Sequence, residues 1–522
     1  MLTPSGKRRV KTIMTVTIIF IAVYFAVSIG IGIYSRKAAV NVDNFVLGGR
    51  NIGPWISAFA YGTTYFSAVI FVGYAGQFGW NFGLSATWIG IGNAIIGSLL
   101  PWIILGRRTR IMTQHIGSRT MPDFFGIRYD SPALRIAASI IVFIFLIPYT
   151  ASLYNGLSSL FALAFDIEYY WVIIIMAALT GIYVVLGGYL SAAINNAVQA
   201  VVMLVGIFAV VLAVLSANGG LSEAVAALSA KTAELDSGET IKSAYTSLFG
   251  PQPLSLLTVI ILTSFGTWGL PQMVSKFYSI KSEDMIRKGA IISTVFAIII
   301  AGGCYFLGGF GRLYDINVAE VGFDAIIPTI LLSLKSNTII ALVILLVLAA
   351  SMSTLASLVL ASSSTITLDM IVPIKKKKQL TEGSKVTIMR LFIVFFIIVS
   401  AALAIVKDMF GFTFIAQMMG VSWGALAGAF LAPFMYGLYW RRTTKAAVWA
   451  NFIFGVGVMT AQLIISATGT KLDGILGFIF SSSIRSGSFA MLGGLIIVPL
   501  VSLLTKAPDK EKLDPIFSCY AK

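Results

Sequence analysis

The segment Leu262-Thr-Ser-Phe-Gly-Thr-Trp-Gly-Leu-Pro-Gln272 interrupts an otherwise apolar stretch of the chain. Gly266, Gly269 and Pro271 are expected to break a helix there, because proline lacks a backbone donor and clashes with the preceding turn. A second segment, Trp55-Ile-Ser-Ala-Phe-Ala-Tyr-Gly-Thr-Thr-Tyr-Phe-Ser-Ala68, also has small and polar residues at its centre. The sequence therefore predicts two interrupted helices, and the composition of the rest of the chain indicates which class of protein contains them.

The rest of the chain is strongly apolar. The chain has 522 residues, of which 58% are hydrophobic and 11% are charged. A soluble domain has about 25% charged residues, so the composition indicates an all-α polytopic membrane protein. The first apolar stretch, 14–34, has no small-residue cleavage signal and is interpreted as a retained span. Hydropathy predicts thirteen transmembrane helices, at 13–34, 54–75, 84–105, 134–160, 170–188, 194–217, 254–275, 289–310, 338–364, 388–406, 412–438, 447–468 and 486–505.

Basic residues gather in alternate loops. The loop from Arg107 to Arg135 holds six arginines against two aspartates. The positive-inside rule then predicts a cytoplasmic tail at 506–522, an extracellular basic tail at 1–12 and an outer loop at 218–252. The basic run at 7–11 opposes this orientation, but four downstream loops outweigh it. The other three loops contain Lys276, Lys281, Arg287 and Lys288; Lys375–Lys378, Lys385 and Arg390; and Arg441, Arg442 and Lys445.

The same distribution limits the function classes. The net charge of +16 lies in short loops between spans, so it does not indicate nucleic-acid binding. Cys304 and Cys519 are too few and too far apart to imply a disulfide framework. His115 is the single histidine and lies in a loop, so neither a zinc site nor a histidine-based catalytic set can be assembled. No repeated filter sequence points to a channel.

Hydroxyls cluster inside the ninth predicted span, in Ala349-Ala-Ser-Met-Ser-Thr-Leu-Ala-Ser357. A hydroxyl buried without a partner costs about 1–3 kcal/mol. Ser353 and Thr354 project about 100° apart on a helix, so they can flank one small object. Uncharged oxygens suit a desolvated Na⁺. The alternative is that these hydroxyls bond to carbonyls one turn earlier in their own helix.

The two interruptions lie five spans apart, at corresponding positions. This spacing is typical of a secondary transporter built from two inverted repeats. Unwound backbone at membrane depth is tolerated only where it is buried or lines a cavity, so its carbonyls become available as ligands. The alternative is a pair of ordinary kinked helices that pack through glycine.

The chain resembles the sodium/solute symporter family, whose bacterial members include proline and pantothenate carriers. The resemblance covers essentially the whole chain, and its specificity comes from the order and spacing of short matches. These are Leu47-Gly-Gly-Arg50, Arg119-Thr-Met-Pro-Asp-Phe124, Leu186-Gly-Gly-Tyr-Leu-Ser191, Gly269-Leu-Pro-Gln272 with Lys281 and Gly289-Ala290, Ala350-Ser-Met-Ser-Thr354, and Gly437-Leu-Tyr-Trp-Arg-Arg442.

The resemblance implies a LeuT-like core of two inverted five-helix repeats, here 54–438, within a single transmembrane domain in the cell membrane. It also implies Na⁺ as the coupling ion and a small organic solute as the cargo. Matched position by position, it implies the following sodium ligands: the carbonyls of Thr63, Phe66 and Ala350, and the hydroxyls of Ser353 and Thr354.

Some positions depart from the family pattern. Asn196 stands where members with a second sodium site often have Asp, so Asn196 and Ser357 are only possible ligands of a second ion. Tyr65 replaces an Asp of proline carriers, and Thr263 and Thr267 replace their Trp and Tyr. These differences weigh against proline, whereas Thr-Tyr-Phe-Ser-Ala68 and Gly-Leu-Pro-Gln272 are more similar to pantothenate and monocarboxylate carriers.

The candidate solute contacts are Thr64, Tyr65, Thr267, Trp268, Gly269 and Gln272. No cation is predicted among them, so a solute carboxylate is expected to meet helix N-termini, Na⁺ or polar side chains. The predicted span interiors contain no Asp, Glu or His, which disfavours a proton-coupled carrier of the same fold. The sequence leaves that alternative, the solute and the oligomeric state open.

Overall fold

A computed structural model describes residues 4–520, apart from 166–167, 235–239, 335, 375–379 and 411–414. The basic run Lys375–Lys378, which contributed to the predicted orientation, lies outside the described residues. The N-terminal helices are α1 Pro4–Ser35, α2 Val42–Leu47, α3 Pro54–Tyr65, α4 Ala75–Phe82, α5 Thr87–Ala94, α6 Arg107–His115, α7 Met121–Arg128, α8 Pro132–Phe165, α9 Tyr169–Ala217 and α10 Leu221–Ser229.

The middle loop contains a short antiparallel hairpin, β1 Thr232–Glu234 with β2 Thr240–Lys242. The remaining helices are α11 Pro253–Gly269, α12 Pro271–Tyr278, α13 Asp284–Ala297, α14 Gly303–Gly309, α15 Val318–Val321, α16 Ile326–Ser333, α17 Asn337–Thr365, α18 Val372–Ile374, α19 Glu382–Phe410, α20 Ile415–Tyr439, α21 Lys445–Thr468, α22 Gly474–Phe480, α23 Ser483–Leu504 and α24 Lys510–Phe517. Wider π-helical turns at 69–74, 95–99, 102–106, 298–302 and 366–371 continue several of them.

The number of membrane crossings agrees with the sequence-based prediction. Within the described residues, ten helical runs are long and apolar enough to span a bilayer, and the bent pair α11–α12 adds an eleventh. Two of the ten are too long for one crossing, because a 49-residue helix such as α9 would be about 74 Å long if straight. Dividing these two runs gives about thirteen spans.

Two glycines with positive φ make those divisions. Gly188 has φ 55° and ψ −143°, so α9 turns sharply there. Gly83 has φ 64° and ψ −141° and separates α4 from α5. A side chain on Gly83 would place a Cβ 2.2 Å from the carbonyl oxygen of Tyr245. Only glycine adopts these conformations without strain, which explains why two apolar runs each become two spans.

The predicted helix breaks are present, but the second is shorter than expected. Helix α3 ends at Tyr65, and Phe66 has an extended backbone with φ −102° and ψ 95°. Helices α11 and α12 are bent by 46° at a single extended residue, Leu270. The expectation that Gly266 helps to break the helix is therefore wrong. Pro271 disfavours helical backbone only in the residue before it, and Gly266 stays helical.

Burial separates the central helices from the peripheral ones. In the most apolar stretch of α20, 94% of the residues are buried inside the protein. The corresponding share is 83% for the run Asn337–Ile374, which includes α17. For Thr17–Ser35 in α1 it is 28%. Since α17 carries the hydroxyl cluster, these hydroxyls lie in the middle of the bundle and away from lipid.

The basic loops meet the C-terminal segment at one end of the bundle. Arg441 pairs with Asp514 at 2.5 Å, and Lys512 pairs with Asp130 at 2.6 Å. The hydroxyl of Tyr520 donates to the carbonyl oxygen of Arg108. The Lys512 ammonium lowers the pKa of Asp130 from its ordinary value. Loops that the sequence assigns to the same side of the membrane are thus in contact with one another.

Candidate ion and solute site

Two adjacent hydroxyls of α17 meet the end of the broken helix α3. The Ser353 hydroxyl lies 2.9 Å from the carbonyl oxygen of Thr63 and 2.9 Å from that of Ala350. The Thr354 hydroxyl lies 3.2 Å from the Thr63 carbonyl oxygen and 3.3 Å from that of Ala350. All four residues are buried. Two neutral hydroxyls and two neutral carbonyls therefore converge from two helices.

The local sequence explains this convergence. A regular helix would direct each carbonyl to its own backbone four residues later. Because α3 stops at Tyr65, the carbonyls of Thr63 and Thr64 lie in its last turn, where helical partners are lost. The Thr64 carbonyl also accepts from Thr354, at 3.2 Å. Sequence reasoning missed this oxygen, although its position between Thr63 and the break was a usable signal.

Of the five sodium ligands expected from sequence, the hydrogen bonds join Thr63, Ala350, Ser353 and Thr354. Phe66 lies at the break, where its amide donates to the Gly62 carbonyl at 3.0 Å. The alternative that the α17 hydroxyls bond only within their own helix does not hold for Ser353 and Thr354. These side chains bond both to their own helix and to α3, so their oxygen atoms lie where the two helices meet.

The two residues expected at a second ion site have different surroundings. The Ser357 hydroxyl lies one turn beyond Ser353, 2.8 Å from the Thr64 hydroxyl and 3.2 Å from the Ser353 carbonyl oxygen. Asn196 of α9 is fully buried, and neither polar atom of its side chain has a partner among the described residues. Only Ser357 is directly connected to the hydroxyl–carbonyl cluster.

Three of the six candidate solute residues donate hydrogen bonds from their side chains to backbone carbonyl oxygens. Tyr65 donates to Thr263 at 2.7 Å, Thr267 to Gly97 at 2.9 Å and Trp268 to Ile96 at 2.8 Å. These bonds tie α3 and α11 to each other and to the π-helical turn at 95–99. In this conformation the three side chains therefore hold helices together.

The other three candidates differ. Gly269 packs against α20, because a Cβ there would lie 2.8 Å from the Cα of Ala427. Gln272 is buried, and its side-chain oxygen has no partner among the described residues. Thr64 bonds to Ser357, as described above. Thr64 and Gln272 thus remain the candidates with polar atoms near the breaks.

A buried lysine lies beside these candidates and was not expected. The sequence places Lys276 in a basic loop after the seventh span, and this assignment is wrong. Lys276 belongs to α12, is 3% exposed, and its Nζ donates to the Ser357 hydroxyl at 2.9 Å. Pro271 restarts the helix so close to the break that Lys276 still faces the protein interior. The expectation of no cation within the spans is corrected accordingly.

Two helices interrupted five spans apart, with buried oxygens where one break meets a central helix, define a secondary transporter of the inverted-repeat class. Residues 45–455 match the family model described as the sodium:solute symporter family. The chain belongs to this family. It is a sodium-coupled symporter of a small solute and not an enzyme.

Similar proteins agree with this assignment. A sodium/proline symporter from Staphylococcus aureus (strain JH9) is 29% identical over 508 residues, which cover 94% of this chain and 93% of that protein. A Na⁺-coupled sialic acid symporter of known structure has a TM-score of 0.73 at 16% identity, over 95% of this chain and 99% of that one. A nucleobase-cation-symport-1 family transporter of known structure has a TM-score of 0.52 at 14% identity, and the match covers 90% of this chain and 97% of that one. The fold is therefore that of LeuT-like transporters.

Proposed function

We propose that the coupling Na⁺ binds between α3 and α17, at the Ser353 and Thr354 hydroxyls and the carbonyls of Thr63, Ala350 and Phe66. The observation that supports this most directly is the convergence of both hydroxyls on the Thr63 carbonyl. A cation placed there would replace hydroxyl–carbonyl bonds with ion–oxygen contacts and hold the two helices together. Its departure would free α17 from the end of α3.

We further propose that the solute is an amino acid or a carboxylate, such as proline, pantothenate or a monocarboxylate. The Staphylococcus aureus relative named above is a sodium/proline symporter. However, Tyr65, Thr263 and Thr267 replace residues of proline carriers, so a carboxylate without the proline ring fits equally well. The solute is expected near the breaks, where Thr64 and Gln272 present polar atoms.

We place the protein in the cell membrane, with the N-terminus outside and the C-terminus in the cytoplasm. Support comes from the basic loops, which cluster with the C-terminal helix α24 at one end of the bundle. Cysteine-accessibility labelling of Thr470→Cys and Lys510→Cys in whole cells tests this orientation, because only the first residue should react with an impermeant reagent.

Uptake is expected to follow the sodium gradient. In proteoliposomes that contain the purified protein, an inward Na⁺ gradient should accumulate labelled proline, pantothenate or a monocarboxylate, and a matched K⁺ gradient should not. A proton gradient imposed without Na⁺ distinguishes the alternative of proton coupling. Accumulation driven equally well by protons would contradict the proposed ion site.

One sodium ion per solute is the expected stoichiometry. Asn196 carries no charge, and the Ser357 hydroxyl already accepts a bond from the Lys276 ammonium. A second cation at Ser357 would be repelled by that positive charge. Initial uptake rates measured against Na⁺ concentration should give a Hill coefficient near one. A coefficient clearly above one, or a reversal potential that fits two ions, would refute this stoichiometry.

A further inference from the structure

Lys276 is a buried lysine with only part of its hydrogen-bonding capacity used by the protein. Its ammonium donates to the Ser357 hydroxyl at 2.9 Å and lies 5.2 Å from the centre of the Tyr189 ring. An ammonium has three donors, and a buried charge is costly unless it is paired. The hydroxyl and the aromatic ring are neutral, so neither supplies a counter-charge.

The ammonium adjoins a small cavity of about 30 Å³, which has room for about two water molecules. The polar side chains that line it are hydroxyls and two cations, and none of the described lining residues is acidic. The lining residues that carry these groups are Arg119, Thr120, Tyr189, Ser275, Lys276, Ser357, Ser364 and Thr365. The lining therefore presents donors and positive charge, which together favour an anion.

Carboxylates next to this lining are already paired with arginines. Asp43 accepts from Arg119 at 2.6 Å, and this bond raises the pKa of Arg119 above its ordinary value. Asp123 and Asp369 both pair with Arg135, at 3.2 Å and 2.9 Å. Arg119 thus has a counter-charge outside the cavity, whereas the described residues give Lys276 no carboxylate partner.

The cavity is also connected to the proposed ion site. The Ser357 hydroxyl, which accepts from Lys276, also lies 2.8 Å from the Thr64 hydroxyl and 3.2 Å from the Ser353 carbonyl oxygen. Ser357 thus links Lys276 to both residues. Thr64 and Ser353 also contribute oxygen atoms to the hydroxyl–carbonyl cluster described above. A sodium ion in that cluster and a charged Lys276 would therefore repel each other through Ser357 and its neighbours Thr64 and Ser353, in a poorly screened interior.

We propose that this cavity is an anion site, in which Lys276 binds the carboxylate of the transported solute. The proposal rests on the proposed function, because it names the solute class and the group that recognises it. A bound carboxylate would neutralise Lys276 and remove its repulsion of Na⁺. Sodium and carboxylate would then bind cooperatively, each raising the affinity for the other by the same factor. Ser357 is the physical link between the two sites.

The test uses the purified full-length protein in detergent, with thermal stabilisation as the readout for each ligand. The probes are NaCl, L-proline and propionate, with prolinamide and propionamide as controls that lack the carboxylate. All buffers are matched in chloride and ionic strength with potassium salts. In the wild type, at least one carboxylate should stabilise the protein and lower the half-saturating Na⁺ concentration, and the amides should not.

Replacing the ammonium should separate the two ligands. Lys276→Met should lose the carboxylate response while keeping the Na⁺ response, with a half-saturating Na⁺ concentration about threefold lower because the repulsion is removed. Lys276→Arg should keep the carboxylate response. Lys281→Met, at an exposed lysine five residues later, is the matched control and should behave as the wild type.

Each contrary result has a definite meaning. A full carboxylate response in Lys276→Met, or no carboxylate response in the wild type, would overturn the proposal. In a separate series that replaces potassium chloride with potassium gluconate, a Lys276-dependent response to chloride would show a chloride site and would also overturn it. If Lys276→Met does not fold, Lys276→Gln supplies the neutral variant. If Na⁺ stabilises no variant, the ion site fails, and the Lys276-dependent carboxylate response is still measurable in potassium buffer.

Discussion

Ser353→Ala should raise the half-saturating Na⁺ concentration for uptake at least about tenfold, which corresponds to about 1.4 kcal/mol of lost binding free energy. The Ser353 hydroxyl lies within 2.9 Å of carbonyl oxygens from both α3 and α17. Its removal takes one oxygen from a dehydrated cation, and alanine offers no replacement. Initial uptake rates measured across a range of Na⁺ concentrations give the half-saturation point directly.

Two variants serve as controls for this experiment. Ser351→Ala removes a buried hydroxyl from the same helix, but among the described residues that hydroxyl bonds only to the Val347 carbonyl in its own helix, at 2.8 Å. It should leave Na⁺ dependence unchanged. Thr354→Ser keeps the hydroxyl and should retain most of the Na⁺ affinity, whereas Thr354→Ala should not. An unchanged half-saturation point in Ser353→Ala would mean that the ion binds elsewhere.

The sequence predicts the spans and helix breaks well because these depend on local chemistry. A run of about twenty apolar residues must cross the bilayer as a helix, whatever its neighbours are. Pro271 interrupts its helix for reasons that lie within one turn. The extent of the break was overestimated, since Gly266 tolerates helical backbone when it is packed, here against Trp423. Glycine permits a break but does not require one.

The proposed ion ligands could be predicted from sequence mainly through the family resemblance, because hydropathy alone does not pair α17 with α3. The Lys276 environment was not accessible. Hydropathy counts a lysine after an apolar run as a loop residue, and the burial of Lys276 depends on α12 packing beside Ser357 and Tyr189. Only the tertiary arrangement supplies this contact.

Arg135 illustrates the same difficulty at the end of the bundle where the basic loops lie. The positive-inside rule treats it as a loop charge, and Asp369 lies beyond the predicted end of the ninth span. In the structure a π-helical turn at 366–371 continues α17, and it places the fully buried Asp369 carboxylate 2.9 Å from Arg135. Arg135 also donates to the Leu368 carbonyl at 2.9 Å. These contacts fasten α8 to the continuation of the helix that carries Ser353.

Arg135→Leu is therefore expected to lower the free energy of unfolding by about 3–5 kcal/mol, because it leaves the buried Asp369 carboxylate without its partner. Chemical denaturation in detergent, followed by tryptophan fluorescence, measures the loss. Lys512→Met removes one member of the exposed pair with Asp130 and should change the stability little. Lys512 serves one exposed carboxylate, whereas Arg135 serves the fully buried Asp369 and also Asp123, so the contrast depends mainly on burial.

The double variant Arg135→Leu with Asp369→Asn separates loss of the ion pair from loss of packing. Removing both charges should recover most of the stability lost in Arg135→Leu. The Thr120 hydroxyl donates a hydrogen bond to the Asp369 carboxylate at 2.5 Å, and a neutral amide at 369 can still accept that bond. A residual loss is expected, since Asp123 also pairs with Arg135 at 3.2 Å. If the double variant is as unstable as Arg135→Leu, the arginine acts mainly through its packing and its bond to Leu368. If Arg135→Leu itself is as stable as the wild type, Asp369 is protonated in the folded protein and needs no cation.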